Sequence, residues 1–176
     1  MSLIFEPNKI YYSLSWATDG VNWSTPQLLL STAWLPAATA KDGIIYLYAN
    51  DNGTTPFGSS ALRRYNLGTS GVSVVAIEDV KVGGIPPTDY FNVDVMYRPN
   101  LGYYQILAGN AAATKIDYLT SSDGMNWSLV FSNIIQPGSG ETVKTPAPHP
   151  STHCWVYFGK DTPSGDHDIY FSNWCQ

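Results

Sequence analysis

Ala17-Thr18-Asp19-Gly20-Val21-Asn22-Trp23-Ser24 returns as Ser121-Ser122-Asp123-Gly124-Met125-Asn126-Trp127-Ser128, with Asp, Gly, Asn, Trp and Ser in register and an offset of 104 residues (Asp19 to Asp123). A degenerate copy lies close to halfway, where Tyr65 to Val74 aligns with Tyr118 to Trp127 and sets Ser70-Gly71 against Asp123-Gly124. The repeating unit is therefore about half the offset, the size of one propeller blade. A second element keeps the same period: Gly43-Ile44-Ile45-Tyr46-Leu47-Tyr48-Ala49-Asn50, then Gly102-Tyr103-Tyr104-Gln105-Ile106-Leu107-Ala108-Gly109, then Cys154-Trp155-Val156-Tyr157-Phe158-Gly159. Three copies of one aromatic strand imply three units.

Between these elements, short alternating runs rich in β-branched and aromatic residues are separated by Gly, Pro, Asn and Asp clusters, the pattern of an all-β chain. Strands are expected over 10–15, 25–30, 44–49, 61–65, 72–77, 92–97, 103–108, 115–120, 128–133, 154–158 and 168–172. Each unit reads as a loop-borne first strand, an aromatic second strand, a third strand ending in the Asp-Gly turn and a fourth opening at the Trp. The expected fold is a β-propeller-type repeat of about three four-stranded antiparallel blades in a single domain, 1–176. Blade A spans 32–79, blade B 89–136 and blade C 141–176, and residues 1–31 supply strands closing a terminal blade. Blade C lacks its fourth strand and the N-terminal region lacks its first two, so completion of a ring by a second copy of the chain is expected. A β-sandwich with a coincidental duplication is the alternative.

Composition narrows the function. The 176 residues include 24 aromatics (6 Trp, 12 Tyr, 6 Phe), only 13% are charged, and the net charge is −5. Many aromatics and modest net charge exclude a disordered chain. Nine dispersed Lys and Arg against fourteen Asp and Glu supply no basic stripe, so no nucleic-acid partner is expected. The same balance argues against an anionic membrane surface, and no apolar run approaches the roughly 20 residues of a spanning helix. No signal peptide is visible at the N-terminus. No cofactor is expected, and no metal: His149, His153 and His167 lack ligand spacing, and the Asp-Gly turns lack the several oxygens of a calcium loop.

Blade B carries a resemblance. Asn92-Val93-Asp94-Val95-Met96-Tyr97-Arg98-Pro99-Asn100 with Gly102-Tyr103-Tyr104, followed by Ile116-Asp117-Tyr118-Leu119-Thr120-Ser121-Ser122-Asp123-Gly124-Met125-Asn126-Trp127, resembles a blade of the five-bladed propeller glycosidases, the arabinanase- and xylosidase-like and invertase-like families. The resemblance implies carboxylates converging at a channel mouth from the starts of the innermost strands, where hydrolysis needs at least two opposed acids. The matching candidates are Asp89 or Asp94 in blade B and Glu141 in blade C. Blade A offers no acid between Thr32 and Ala40. The Asp-Gly-x-x-Trp turn is structural in such families. Asp19 and Asp123 can accept backbone N–H bonds, Gly20 and Gly124 can take positive φ, and Trp23 and Trp127 can pack between blades.

A carbohydrate-binding or catalytically degenerate glycosidase-like propeller follows. Trp34, Tyr90, Phe91 and His149 are the candidate ligand-binding side chains. An active glycoside hydrolase with a site shared between chains, and a protein-binding propeller scaffold, remain as alternatives. If Ser164-Gly165 is the two-residue turn of the last hairpin, Cys154 stands opposite Cys175 within disulfide reach. A pair there implies an oxidising, extracytoplasmic compartment; a register one residue away leaves two reduced cysteines.

Overall fold

In the computed structural model, which describes residues 9–15, 21–52, 59–152, 154–165 and 167–175, every element is a β-strand. Asp19 and Gly20 lie outside the described residues. The chain begins with a hairpin-like pair, β1 (Ile10–Tyr12) and β2 (Gln27–Leu30), antiparallel to each other. β3 (Ala33–Lys41), β4 (Ile44–Asn52), β5 (Ser59–Asn66) and β6 (Ala76–Asp79) then form a four-stranded antiparallel sheet in chain order.

The second sheet holds β8 (Tyr90–Arg98), β9 (Tyr103–Asn110), β10 (Ile116–Ser121) and β11 (Asn126–Ile135). A two-residue strand, β7 (Lys81–Val82), joins β11 in parallel and makes five. The third sheet has three strands: β12 (Thr142–Pro148), β13 (Trp155–Asp161) and β14 (His167–Asn173).

The two-residue side-chain period of a strand sends alternate residues to opposite faces, and here those faces stack sheet upon sheet. Leu47, Ala49 and Tyr65 pack toward Ile10, Leu29 and Leu30 of the first pair. Their neighbour Tyr48 points the other way and joins Val95, Tyr104, Ile106, Leu119 and Trp127 of the second sheet. Leu107, Ile116 and Tyr118 leave the second sheet's far face to meet Val143, Val156 and Phe158 of the third. The first four-stranded sheet and the second sheet thus each give one face to the layer before and one to the sheet after, as propeller blades do, while the third sheet gives one face to the second.

Two polar latches fix these stacks. At the first, the turn after β10 docks on β4 and β5: Tyr48 donates to the Gly124 carbonyl at 2.8 Å and Arg64 to the Asp123 carbonyl at 2.5 Å. At the second, the buried Arg98 at the end of β8 grips the segment before β13. Its guanidinium donates to the carbonyls of His149 (2.7 Å), Thr152 (3.3 Å) and Pro150, and its Nε to Gln105 at 2.9 Å.

Three expectations change. β1 and β2 pair with each other and pack on the first four-stranded sheet through Ile10, Leu29 and Leu30. They do not lie beside β14, whose ladder partner is β13. The last hairpin is not closed by a two-residue Ser164-Gly165 turn. Its ladder runs from Trp155 opposite Asn173 to Asp161 opposite His167, leaving five connecting residues, with Gly165 at φ +85° bonding back to the Thr162 carbonyl. In this register Cys154 faces Trp174, whose N–H donates to its carbonyl. Beyond the ladder the chains turn, and Cys154 and Cys175 form a disulfide with Cα atoms 5.2 Å apart. Finally, the first strands of all three sheets are continuous, bulged strands of seven to nine residues, although Pro36, Pro146 and Pro148 make two of them read as loops.

Candidate functional site

The innermost strands β3, β8 and β12 share a local distortion. Among the described residues six non-glycines have positive φ, and three of these are Leu35 (52°), Asn92 (48°) and Thr145 (46°), one in each inner strand. All three sit in β-bulges, where pairing to the second strand shifts between Trp34 and Ala37, Phe91 and Val93, and Lys144 and Ala147. The left-handed conformation suits Asn but costs Leu and the β-branched Thr roughly 1–2 kcal/mol each. Such outliers persist where the surrounding structure enforces them, and they gather at functional sites. Here they re-aim the chain at one place.

That place is a cleft of about 490 Å³, within the usual range for small-molecule sites. Leu35, Pro36, Ala37 and Ala38 line it from β3, Asn92, Val93 and Asp94 from β8, and Thr145, Pro146 and Ala147 from β12. The Thr39 hydroxyl, accepting the Tyr97 N–H at 2.9 Å, ties β3 to β8 beside it.

Alignment of the three strands on their left-handed residues puts Ala37, Asp94 and Ala147 at one equivalent position, two residues further on. Asp94 is the one carboxylate among the described lining residues. Burial raises its pKa above the ordinary aspartate value, and the Val95 N–H, donating to Oδ1 at 2.8 Å, offsets this only partly.

The other candidate residues lie elsewhere. Asp89 and Tyr90 line a separate cleft of about 220 Å³ with Lys115, and the Tyr90 hydroxyl is 3.4 Å from the fully buried Asp117. Burial, reinforced by that carboxylate, pushes the Tyr90 hydroxyl up to about 12. Asp117 is held by Lys115 (2.7 Å), the Ser132 hydroxyl (3.1 Å) and the Asn133 N–H (2.9 Å), which makes it a brace for the β11 bulge. Glu141 accepts from the Gly138 N–H at 2.8 Å and from Lys160 at 3.1 Å, and both lower its pKa. It does not line the cleft that holds Asp94.

Trp34 and Phe91 each precede a left-handed residue and meet edge to face at 5.5 Å, and neither lines the cleft. His149 stacks on Tyr157 at 6.0 Å on the outer face of the third sheet. Asn92, Thr145 and Leu35 were not singled out by sequence. The available signal was Asn92, an Asn between Phe91 and Val93 near the start of a strand, which tolerates the left-handed region.

The Asp-Gly-x-x-Trp turn is built as its chemistry suggests. Asp123 Oδ1 accepts from the N–H groups of Met125 and Asn126 at 2.8 Å each and from the Ser121 hydroxyl at 2.9 Å, while Oδ2 takes the Asn126 amide at 2.8 Å. Partial burial pushes this carboxyl up, but the Asn126 backbone and amide, the Met125 N–H and Ser121 together hold it well below the usual carboxylate range. Gly124 has φ +76°, and buried Trp127 donates its Nε1–H to the Gly124 carbonyl at 3.1 Å. The first copy of the motif differs at its end: Trp23 is 61% exposed. Among the described residues no three His, Cys, Asp or Glu come together as a metal site.

No family model and no curated protein matches the sequence. Among solved structures, the chain is similar to the GH43 endo-arabinanase from Bacillus licheniformis, with a TM-score of 0.60 at 14% identity, over 96% of this chain and 66% of that one. It also matches a structure reporting that the GH130 family of mannoside phosphorylases contains glycoside hydrolases that target β-1,2-mannosidic linkages in Candida mannan. There the TM-score is 0.42 at 14% identity, over 79% of this chain and 48% of that one. The chain thus spans less than two thirds of either structure it matches. The fold is that of an all-β, glycosidase-like β-propeller.

Proposed function

We propose that the protein binds carbohydrate in the cleft between β3, β8 and β12 and is catalytically degenerate. The observation that carries this reading is a single carboxylate among the described lining residues, Asp94, at a position where the two equivalent strands hold Ala37 and Ala147. Glycoside hydrolysis needs a second carboxyl about 5–9.5 Å across the scissile bond. Glu141 is engaged with Lys160, and Asp89 lines another cleft. A lone carboxylate beside Asn92, with Leu35, Pro36 and Pro146 around it, instead suits a sugar, whose hydroxyls need acceptors and whose C–H faces pack on apolar surface. The endo-arabinanase likeness makes arabino-oligosaccharides the first ligands to try.

Calorimetric titration with linear arabino-, xylo- and manno-oligosaccharides, paired with a reducing-sugar assay, tests the reading. Binding without sugar release is expected, and Asp94→Asn should weaken it by about tenfold, the worth of one charged hydrogen bond. Sugar release that disappears in Asp94→Asn would establish a hydrolase whose second acid comes from another chain. Absence of binding to every sugar would remove the carbohydrate reading and leave the protein-binding scaffold.

A further inference from the structure

The third sheet repeats the geometry of the first but ends on an uncovered face. Alignment on Leu35 and Thr145 makes Tyr157, which pairs beside Ala147, the counterpart of Tyr48, which pairs beside Ala37. By the same count Trp155 corresponds to Tyr46, and Phe171, opposite Tyr157, to Arg64, opposite Tyr48. In the first sheet these positions receive the Asp123-Gly124-x-x-Trp127 turn of the following sheet: Tyr48 and Arg64 bond its carbonyls, and the Trp127 ring lies 6.0 Å from Tyr48.

In the third sheet the same positions form an exposed aromatic surface. Trp155 and Phe171 are 5.8 Å apart, Tyr157 and Phe171 6.4 Å, with Ile169 82% and Phe171 64% exposed. At the opposite end of the chain Trp23, the counterpart of Trp127, is 61% exposed, and Tyr11 and Leu28 are exposed beside it on the first strand pair.

We infer that the outer face of the third sheet is the docking site for the Trp23 turn of a second copy of this chain, in a head-to-tail contact. The interface would reproduce between molecules the contact that Trp127 makes within one, with Tyr157 in the place of Tyr48. The occupant is a second copy because the sequence holds one further Asp-Gly-x-x-Trp motif and the two apolar faces occupy opposite ends of the stack. Two such contacts related by a two-fold axis close a ring. It would contain six sheets and two strand pairs, within the range of 4 to 8 blades of closed propellers.

Light scattering of the wild type at micromolar concentration should give twice the 19.3 kDa chain mass. Trp23→Ser and Ile169→Lys alter highly exposed positions, and circular dichroism and melting confirm the fold of each. Each variant alone should run as a monomer at concentrations where the wild type is dimeric. An equimolar mixture should dimerise more strongly than either variant alone, because Trp23→Ser keeps an intact outer face and Ile169→Lys an intact Trp23, which restores one of the two contacts. A monomeric wild type, a variant that stays dimeric, or a mixture that dimerises no more strongly than either variant alone would each overturn the inference.

Discussion

Replacement of Gly124 by Ala tests how the sheets are joined. Gly124 lies at φ +76°, where an L-residue with a Cβ costs roughly 1–2 kcal/mol. The added methyl would also stand 2.6 Å from both the Tyr48 hydroxyl and Arg64 Nη1, in a place where neither side chain has room to retreat, Tyr48 being 0% exposed and Arg64 also buried. Displacing them breaks the bonds to the Gly124 and Asp123 carbonyls, and buried polar groups left unpaired cost about 1–3 kcal/mol. A loss of about 2–5 kcal/mol is expected on adding these two effects. Gly102 is the control: it turns the β8–β9 hairpin at φ +70° with nothing within 4 Å of where a Cβ would stand, so its alanine variant should lose only the conformational part. Urea unfolding at one fixed protein concentration, with unchanged slopes, reads both. Equal destabilisation of the two variants would refute the docking argument. Tyr48→Phe should relieve part of the Gly124→Ala cost, since contacting residues are not additive.

Other expectations follow from the same geometry. Arg98→Met should cost about 2–4 kcal/mol and open the 149–152 segment to proteolysis, because a buried guanidinium contributes several charged hydrogen bonds there; Lys, lacking the fork, should not rescue it. Reduction of Cys154–Cys175, which closes a loop with a separation of 21, should lower stability by up to about 3 kcal/mol on the chain-entropy account. Melting with and without reductant measures that loss. Two carboxylates give opposite pH dependence. Burial raises the pKa of Asp94 in the folded state, so its ionised form opposes folding at neutral pH and the penalty fades as pH falls through the folded value toward the unfolded one. Asp94→Asn should therefore stabilise the protein at pH 7 and lose that advantage in acid. Asp161 is held at about 2 by Lys144 and then His167, so its contribution is complete above the unfolded value of 3.8 and disappears as pH falls from there toward 2. Acid titration of Asp161→Asn against wild type isolates this window.

Fold class and repeat period are legible in the chain alone. The repeated Asp-Gly-x-x-Trp turn and the thrice-repeated aromatic strand are local signals, readable because a turn is specified by its own residues and a strand by its alternation. Tyr48, Tyr104 and Val156 fall on strands expected from that alternation. The site, by contrast, exists only in three dimensions. Its inner strands carry Pro36, Pro146 and Pro148 and left-handed bulges at Leu35 and Thr145, features that erase the alternation and are stable only because neighbouring strands enforce them. Asp94, Asp89 and Glu141 looked equivalent as acids near the starts of strands. The bulges set their separation, sending Asp94 into the central cleft and leaving the other two outside it. Register is likewise a property of paired strands, so the five-residue connection before β14 and the offset of Cys154 from Cys175 could be fixed only by the ladder that joins them.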